Sequence, residues 1–302
     1  MKEKWNFDVD EKTNNIYRNL CSEIDKVFKH TRQGSIKTRY RYQDGMEHFA
    51  KFLAEVYRKQ NLNKIQDKHL QAYVEQMQEL GYSKSYVTTN LSAIRYFIDL
   101  NGGDSSKLAT NKELAVNART RQDRIGDNKA WEVEDVKKFI DYAETVGGKK
   151  YADMVSLGFK FGLRIHEVTR LKKNDLLKAI KENHLTVKGK GGLIRSIPMQ
   201  NNISLIERLY NETPMGEKVF VRNDKKTHQV INNLQVFVLR NQDKFRTSND
   251  GTNKSFHGLR HLYAQNRYKQ FIKEGYNDKQ ARLKVAKELG HFREEITEVY
   301  LN

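Results

Sequence analysis

Four short patches of this 302-residue chain carry side chains able to do chemistry. They are Gly-Leu-Arg-Ile-His-Glu-Val at 162–168, Lys-Gly-Lys-Gly-Gly at 188–192, His-Gly-Leu-Arg-His at 257–261, and Leu-Gly-His at 289–291 with Tyr300 close behind. Singly, each has an ordinary reading as a solvated arginine, a turn lysine, or one of 15 tyrosines. Together they hold what transfer of a phosphodiester needs without a metal. The pentacoordinate state gathers charge on two non-bridging oxygens, and planar guanidinium forks suit them; Arg164 and Arg260 are the candidates. A phenol with a pKa near ~10 is roughly 4 kcal/mol from its phenolate at neutral pH, a deficit that neighbouring cations would offset if Tyr300 is the nucleophile. The leaving oxygen needs a proton, for which Lys190 in the Gly-rich turn is the candidate general acid. His257 can accept or donate a proton at the phosphate, and His291 can hydrogen-bond a non-bridging oxygen. Three-residue spacing puts His257 and Arg260 on one helix face, with His261 on the next step of that turn.

The rest of the chain must position these groups. Net charge is +17, spread over both halves but zero over residues 1–30, and this favours a polyanionic partner touched by more than one domain. The single cysteine, Cys21, excludes an intrachain disulfide and multi-cysteine metal sites. No stretch approaches the ~18 apolar residues of a membrane span, and the opening segment has no apolar signal region, so a cytoplasmic, membrane-free protein is expected.

Apolar residues at helical spacing mark Ile16, Leu20, Ile24 and Val27; Met46, Phe49, Leu53 and Val56; Leu70, Val74 and Met77; and Val87, Leu91, Ile94 and Phe97. Ser35 is an expected N-cap, and Gly81, Gly102 and Gly103 are expected stops. Lys37 and Arg41, one turn apart on this bundle, are candidate DNA-phosphate contacts. A polar stretch at 117–130 reads as linker. The helical period then restarts at Val133, Val136, Ile140 and Ala143. Two strands, 184–188 and 193–198, are expected around the Gly-Lys-Gly-Gly turn, with a third at 218–221 and helices to the end. The predicted class is mainly α with a small β-sheet (α+β). Residues 1–112 form an N-terminal helical domain, with 1–30 an extra helix; 113–130 are linker and 131–302 the catalytic domain.

The ordered set Arg164, Lys190, His257, Arg260, His291 and Tyr300 resembles the tyrosine recombinase (phage integrase) family of site-specific DNA recombinases. GLRIHEV is similar to its first arginine box, with Glu167 at the acidic position that braces the arginine. KGKGG followed by RSIP is similar to its β-hairpin lysine, HGLRH to its His-x-x-Arg box, and LGH plus Tyr300 to its nucleophile segment. Residues 31–105 resemble the helical, SAM-like core-binding domain, and YVTTNLSAIRYF its last helix.

The resemblance implies a C-shaped clamp on duplex DNA and attack by the tyrosine to give a 3′-phosphotyrosyl link and a free 5′-hydroxyl. Strand exchange at specific core sites by a homotetramer follows, with no metal, no other cofactor and no ATP; accessory DNA-bending proteins are allowed as further partners. The outcome would be integration, excision, inversion or resolution of a DNA element, and His261 joins Glu167 in a supporting role. Two features depart from the pattern. Only Leu301 and Asn302 follow Tyr300, so either subunits interlock through other surfaces or the chain is shortened. Residues 261–291 are longer than usual, either as a subunit or DNA contact or as a solvated helix pair. The alternatives are type IB topoisomerase-like relaxation, DNA binding without catalysis, and a metal hydrolase using His257, His261 and His291. The last is disfavoured because HGLRH lacks the glutamate of His-Glu-x-x-His.

Overall fold

The computed structural model describes residues 9–117, 128–189, 192–248, 253–291 and 295–301. The chain divides into two compact units, Met1–Asp123 and Arg124–Asn302.

The first unit is a bundle of α1 (Glu11–His30), α2 (Ile36–Val56), α3 (Asp67–Glu79) and α4 (Lys84–Leu100). Three of the four starts are sealed by a side chain the sequence supplies there. Asp10 accepts from the Thr13 amide at 3.0 Å, Ser35 from that of Thr38 at 3.1 Å and Ser83 from that of Tyr86 at 3.2 Å. The predicted apolar stripes meet in one core of Ile16, Leu20, Ile24, Met46, Phe49, Leu53, Leu70, Val74, Met77, Val87, Leu91, Ile94 and Phe97. The stripe edges differ from expectation. Phe28 takes the fully buried place beside half-buried Val27, and Val56, on the last turn of α2, is exposed.

The second unit runs α5 (Val133–Thr145), α6 (Lys149–Phe161), α7 (Ile165–Val168), α8 (Lys173–Glu182), β1 (His184–Lys188), β2 (Ile194–Pro198), α9 (Ile203–Glu212), α10 (Thr227–Arg240), α11 (Gln242–Phe245), α12 (Phe256–Lys273), α13 (Asp278–Leu289) and α14 (Glu295–Leu301). The antiparallel hairpin pairs His184 with Pro198 and Lys188 with Ile194. The third strand expected at 218–221 does not form. That segment makes a single bridge, Lys172 with Lys218, away from the hairpin, supported by the Val219 amide on Leu171 O at 2.9 Å. Its apolar residues Phe220 and Val221 are buried in the core instead, which accounts for the misleading pattern. The long 261–291 segment is a helix pair, but not simply a solvated one: Phe271, Ala281, Val285 and Leu289 belong to the core.

Helix α12 packs against α6, α13 and α14, so it is the spine of the unit. Its N-terminus is clamped by Trp131, which is fully buried, stacks on Phe245 at 5.0 Å and donates from Nε1 to Ser255 O at 2.8 Å. In the same first turn Gly258 leaves no room for a side chain: a Cβ there would lie 2.2 Å from the Lys129 carbonyl oxygen and 2.8 Å from the Trp131 ring. Gly→Ala inside a helix ordinarily stabilises by about 1 kcal/mol. Here the sign inverts, and Gly258→Ala is expected to destabilise by roughly 1–3 kcal/mol or more through overpacking, read as a lowered midpoint in thermal or urea unfolding.

Candidate active site

The site begins at the α6–α7 corner. Gly162 ends α6 in the left-handed region at φ +58°, where a Cβ would stand 2.5 Å from the Tyr263 ring. The chain can therefore turn sharply, and Arg164 becomes the N-cap of α7. Glu167, three residues on, accepts from the Arg164 amide at 2.7 Å and from its Nη1 at 3.0 Å, so one carboxylate caps the helix and aims the guanidinium. Glu167 is buried. Burial alone would raise its carboxyl, but Arg195, the Arg164 amide, and the Arg260 and Arg164 charges hold it below the usual range.

Arg260, projecting from α12, has no solvent exposure. It donates from Nη1 to Gly162 O at 2.6 Å and from Nη2 to Leu289 O. Burial, then the neighbouring Arg195 charge, pulls its pKa down to about 10, so it stays a cation at neutral pH. The end of α13 brings in His291. Its Nε2 lies 3.3 Å from Arg164 Nη2, 3.5 Å from Arg260 Nη2 and 3.4 Å from the Tyr300 hydroxyl. Surrounded by donors, that nitrogen must carry the lone pair, which leaves the ring proton on Nδ1. Burial and the Arg260, Arg164 and Arg195 charges lower the His291 pKa to about 4.

Tyr300 is brought in by α14, which is tied to α13 through Arg282 with Glu298 and through the Thr297 hydroxyl on Arg282 O at 3.2 Å. The Tyr300 ring is buried, 5.6 Å from the Arg260 guanidinium carbon and 4.7 Å from the His261 ring. His257 lies 5.8 Å from the Tyr300 ring and is an exposed residue. Crowding by protein atoms, then Arg260, lowers the proton affinity of His257. His261 is buried, and burial followed by the His257, Lys129 and Arg260 charges takes it to about 4. The structure thus brings Arg164, His257, Arg260, His291 and Tyr300 together, with Glu167 and His261 behind them. Lys190 lies outside the described residues; the hairpin strands that lead to it are in place.

The candidate DNA contacts of the first unit diverge. Lys37 is exposed, whereas Arg41 is half-buried, donating to Asn90 Oδ1 at 2.7 Å and lying 4.8 Å from the centre of the Tyr86 ring. One residue near the candidate cluster carries no chemical motif of its own. Arg195, on β2, is buried and donates from Nη2 to Glu167 Oε2 at 2.6 Å. Its one signal in the sequence is strand alternation, which puts Arg195 on the same face as buried Ile197. Among the described residues, no group of three His, Cys, Asp or Glu side chains is arranged to hold a metal ion, and no helix is long and apolar enough to cross a membrane.

Histidines that the fold holds neutral make stability depend on pH. Unfolded, His261 and His291 titrate near ~6.5; folded, near about 4. Between those values the unfolded chain binds protons that the native state refuses, so stability falls as pH drops through that window and levels off below it. Thermal melts should show this descent, and His261→Gln should shallow it.

The model for the phage integrase family matches residues 129–302, more than half of the chain, and that for the phage integrase N-terminal SAM-like domain matches residues 26–100. The chain belongs to the phage integrase family. It is a site-specific tyrosine recombinase, a DNA breaking-and-rejoining enzyme, and the relaxation-only and non-catalytic alternatives are not favoured. Its architecture, a helical SAM-like domain followed by an integrase catalytic domain with a small antiparallel sheet, is that of the family. Among solved structures, the Tn1549 transposon integrase in complex with a circular intermediate DNA aligns with a TM-score of 0.61 at 13% identity, covering 93% of this chain and 94% of that one. A lambda integrase dimer bound to a COC′ core site aligns at 0.63 and 16%, covering 97% and 81%. A lambda integrase tetramer bound to a Holliday junction aligns at 0.61 and 17%, covering 93% and 76%. At these identities the likeness is one of fold. No curated protein matches the chain.

Proposed function

We propose that this integrase cleaves duplex DNA at specific core sites with Tyr300 as nucleophile and rejoins it to a partner strand, working in the cytoplasm as a homotetramer on DNA, with DNA-bending proteins as optional partners. The carrying observation is that the Tyr300 hydroxyl and two guanidiniums share one histidine nitrogen within 3.5 Å. A non-bridging phosphate oxygen replacing that nitrogen as acceptor would meet Arg164 and Arg260, with Tyr300 beside it.

The step balances without an added reactant. The Tyr300 oxygen forms the bond to phosphorus while the bond to the 5′ oxygen breaks. The phenolic proton passes to a neutral histidine, His291 as the free chain is arranged or His257 across the ring, and the 5′ oxygen takes a proton from Lys190. His291 then hydrogen-bonds the phosphate, Glu167 holds Arg164, and His261 backs the tyrosine ring. The ester keeps the bond energy, so a 5′-hydroxyl can reverse the step. Lys37 and Arg41 are assigned to DNA-phosphate contacts; Arg41 must release Asn90 to serve. The DNA-bound state of the similar integrases and the tetramer of one of them support the partner and assembly proposed here.

The test works whatever the target sequence is. Incubated with a library of randomised nicked duplexes and then denatured, the protein should retain DNA of one shared sequence through a 3′-phosphate on the peptide containing Tyr300. Failure to retain DNA would overturn the proposal, and efficient relaxation of arbitrary plasmids by monomer would move it to a topoisomerase.

A further inference from the structure

Arg195 joins three of the segments that build the site. Its own strand, β2, follows in sequence the Gly-rich segment that contains Lys190. Its Nη2 donates to Glu167 Oε2 at 2.6 Å and reaches Gly162 O at 3.4 Å, and its Nη1 donates to the carbonyl oxygen of Glu288, three residues before His291. The side chain is 4% exposed, too enclosed for substrate to reach. Glu167 is therefore gripped from two sides, by Arg195 from behind and by Arg164 in front.

We infer that Arg195 is a positioning residue for strand cleavage: through Glu167 it fixes the Arg164 fork, and through the Glu288 carbonyl it fixes the end of α13 that presents His291. This rests on the proposed function above. Three acceptors in three directions need the planar fork of an arginine. A lysine would keep the charge and lose the geometry.

The experiment compares parent and Arg195→Lys for DNA affinity and for the rate of covalent adduct formation at saturating DNA. Two scissile linkages are used, an ordinary phosphodiester and a methylphosphonate, which lacks the non-bridging negative charge. If Arg195 works by aiming Arg164, its loss matters only where that charge must be met. Arg195→Lys should bind DNA like the parent, cleave the phosphodiester about 100-fold more slowly, as expected of a fork misplaced by about 1 Å, and cleave the methylphosphonate within about fivefold of the parent rate. A parental rate on the phosphodiester, or equal losses on both linkages, would overturn the inference. Should Arg195→Lys not fold, Glu167→Gln stands in with the same expected pattern, and equal losses there also overturn it. A parent that cleaves neither linkage refutes the proposed function itself, and this inference with it.

Discussion

Tyr300→Phe should form no covalent adduct with DNA while binding it as tightly as the parent. The substitution removes one oxygen from a ring whose other contacts survive: His261 at 4.7 Å, His291 at 6.0 Å and the Arg260 cation at 5.6 Å. The hydrogen bond given up is the 3.4 Å contact with His291 Nε2, which keeps Arg164 and Arg260 as donors. The fold should therefore stand, with a change in unfolding free energy of at most about 1 kcal/mol. A nucleophile cannot be replaced in part, so the loss of adduct should be complete. Denaturing electrophoresis on a trapped duplex, beside a binding isotherm and a thermal melt, reads all three. An adduct formed by Tyr300→Phe would remove this residue from the reaction.

How far the fold is legible in the sequence depends on whether a feature leaves its mark in one segment. Helices α1–α4 do so, because a buried face requires apolar residues every three or four positions and a sealed start requires Ser35 or Ser83 where they stand. The hairpin also does so, through alternation on either side of a Gly-rich turn. The third strand misleads because Phe220 and Val221 are buried by a loop as thoroughly as by a sheet, and burial pattern does not reveal backbone pairing.

The site divides in the same way. Arg164, His257, Arg260, His291 and Tyr300 are legible as candidates because the proposed phosphoryl transfer calls for their functional groups. What holds them is not. Arg260 is held by the carbonyls of Gly162 and Leu289, and Arg195 by that of Glu288; backbone oxygens are present at every position and mark none. Arg41 shows the converse. An arginine at an outward helical position reads as a free cation, yet Asn90, 49 residues away, turns it onto α4.

That difference in what holds each arginine separates the two substitutions that would otherwise look alike. Arg164→Ala should be a clean catalytic defect. Its side chain is 29% exposed, its fork reaches Glu167 and His291, and Glu167 retains Arg195 as a buried partner. Covalent cleavage should fall by about 10³-fold or more, as expected when a cation facing developing phosphate charge is lost, with the melting temperature almost unchanged. Arg260→Ala should lose cleavage to the same degree but destabilise the chain as well. It deletes a fully buried cation, takes the Arg260 donor from the Leu289 carbonyl, at about 1–3 kcal/mol for an acceptor left unpaired, and leaves Gly162 O with only the longer 3.4 Å contact from Arg195. Because those carbonyls belong to the α6–α7 corner and the end of α13, the damage should spread to Arg164 and His291, and DNA binding should weaken along with the chemistry. Adduct rate, binding isotherm and urea midpoint measured on both variants decide the matter. If Arg260→Ala melts like the parent, the buried guanidinium is not the brace the geometry makes it. If Arg164→Ala cleaves at more than about a tenth of the parental rate, less than the ~10²-fold loss typical of one missing charge-stabilising donor, its fork is not the one that meets the phosphate.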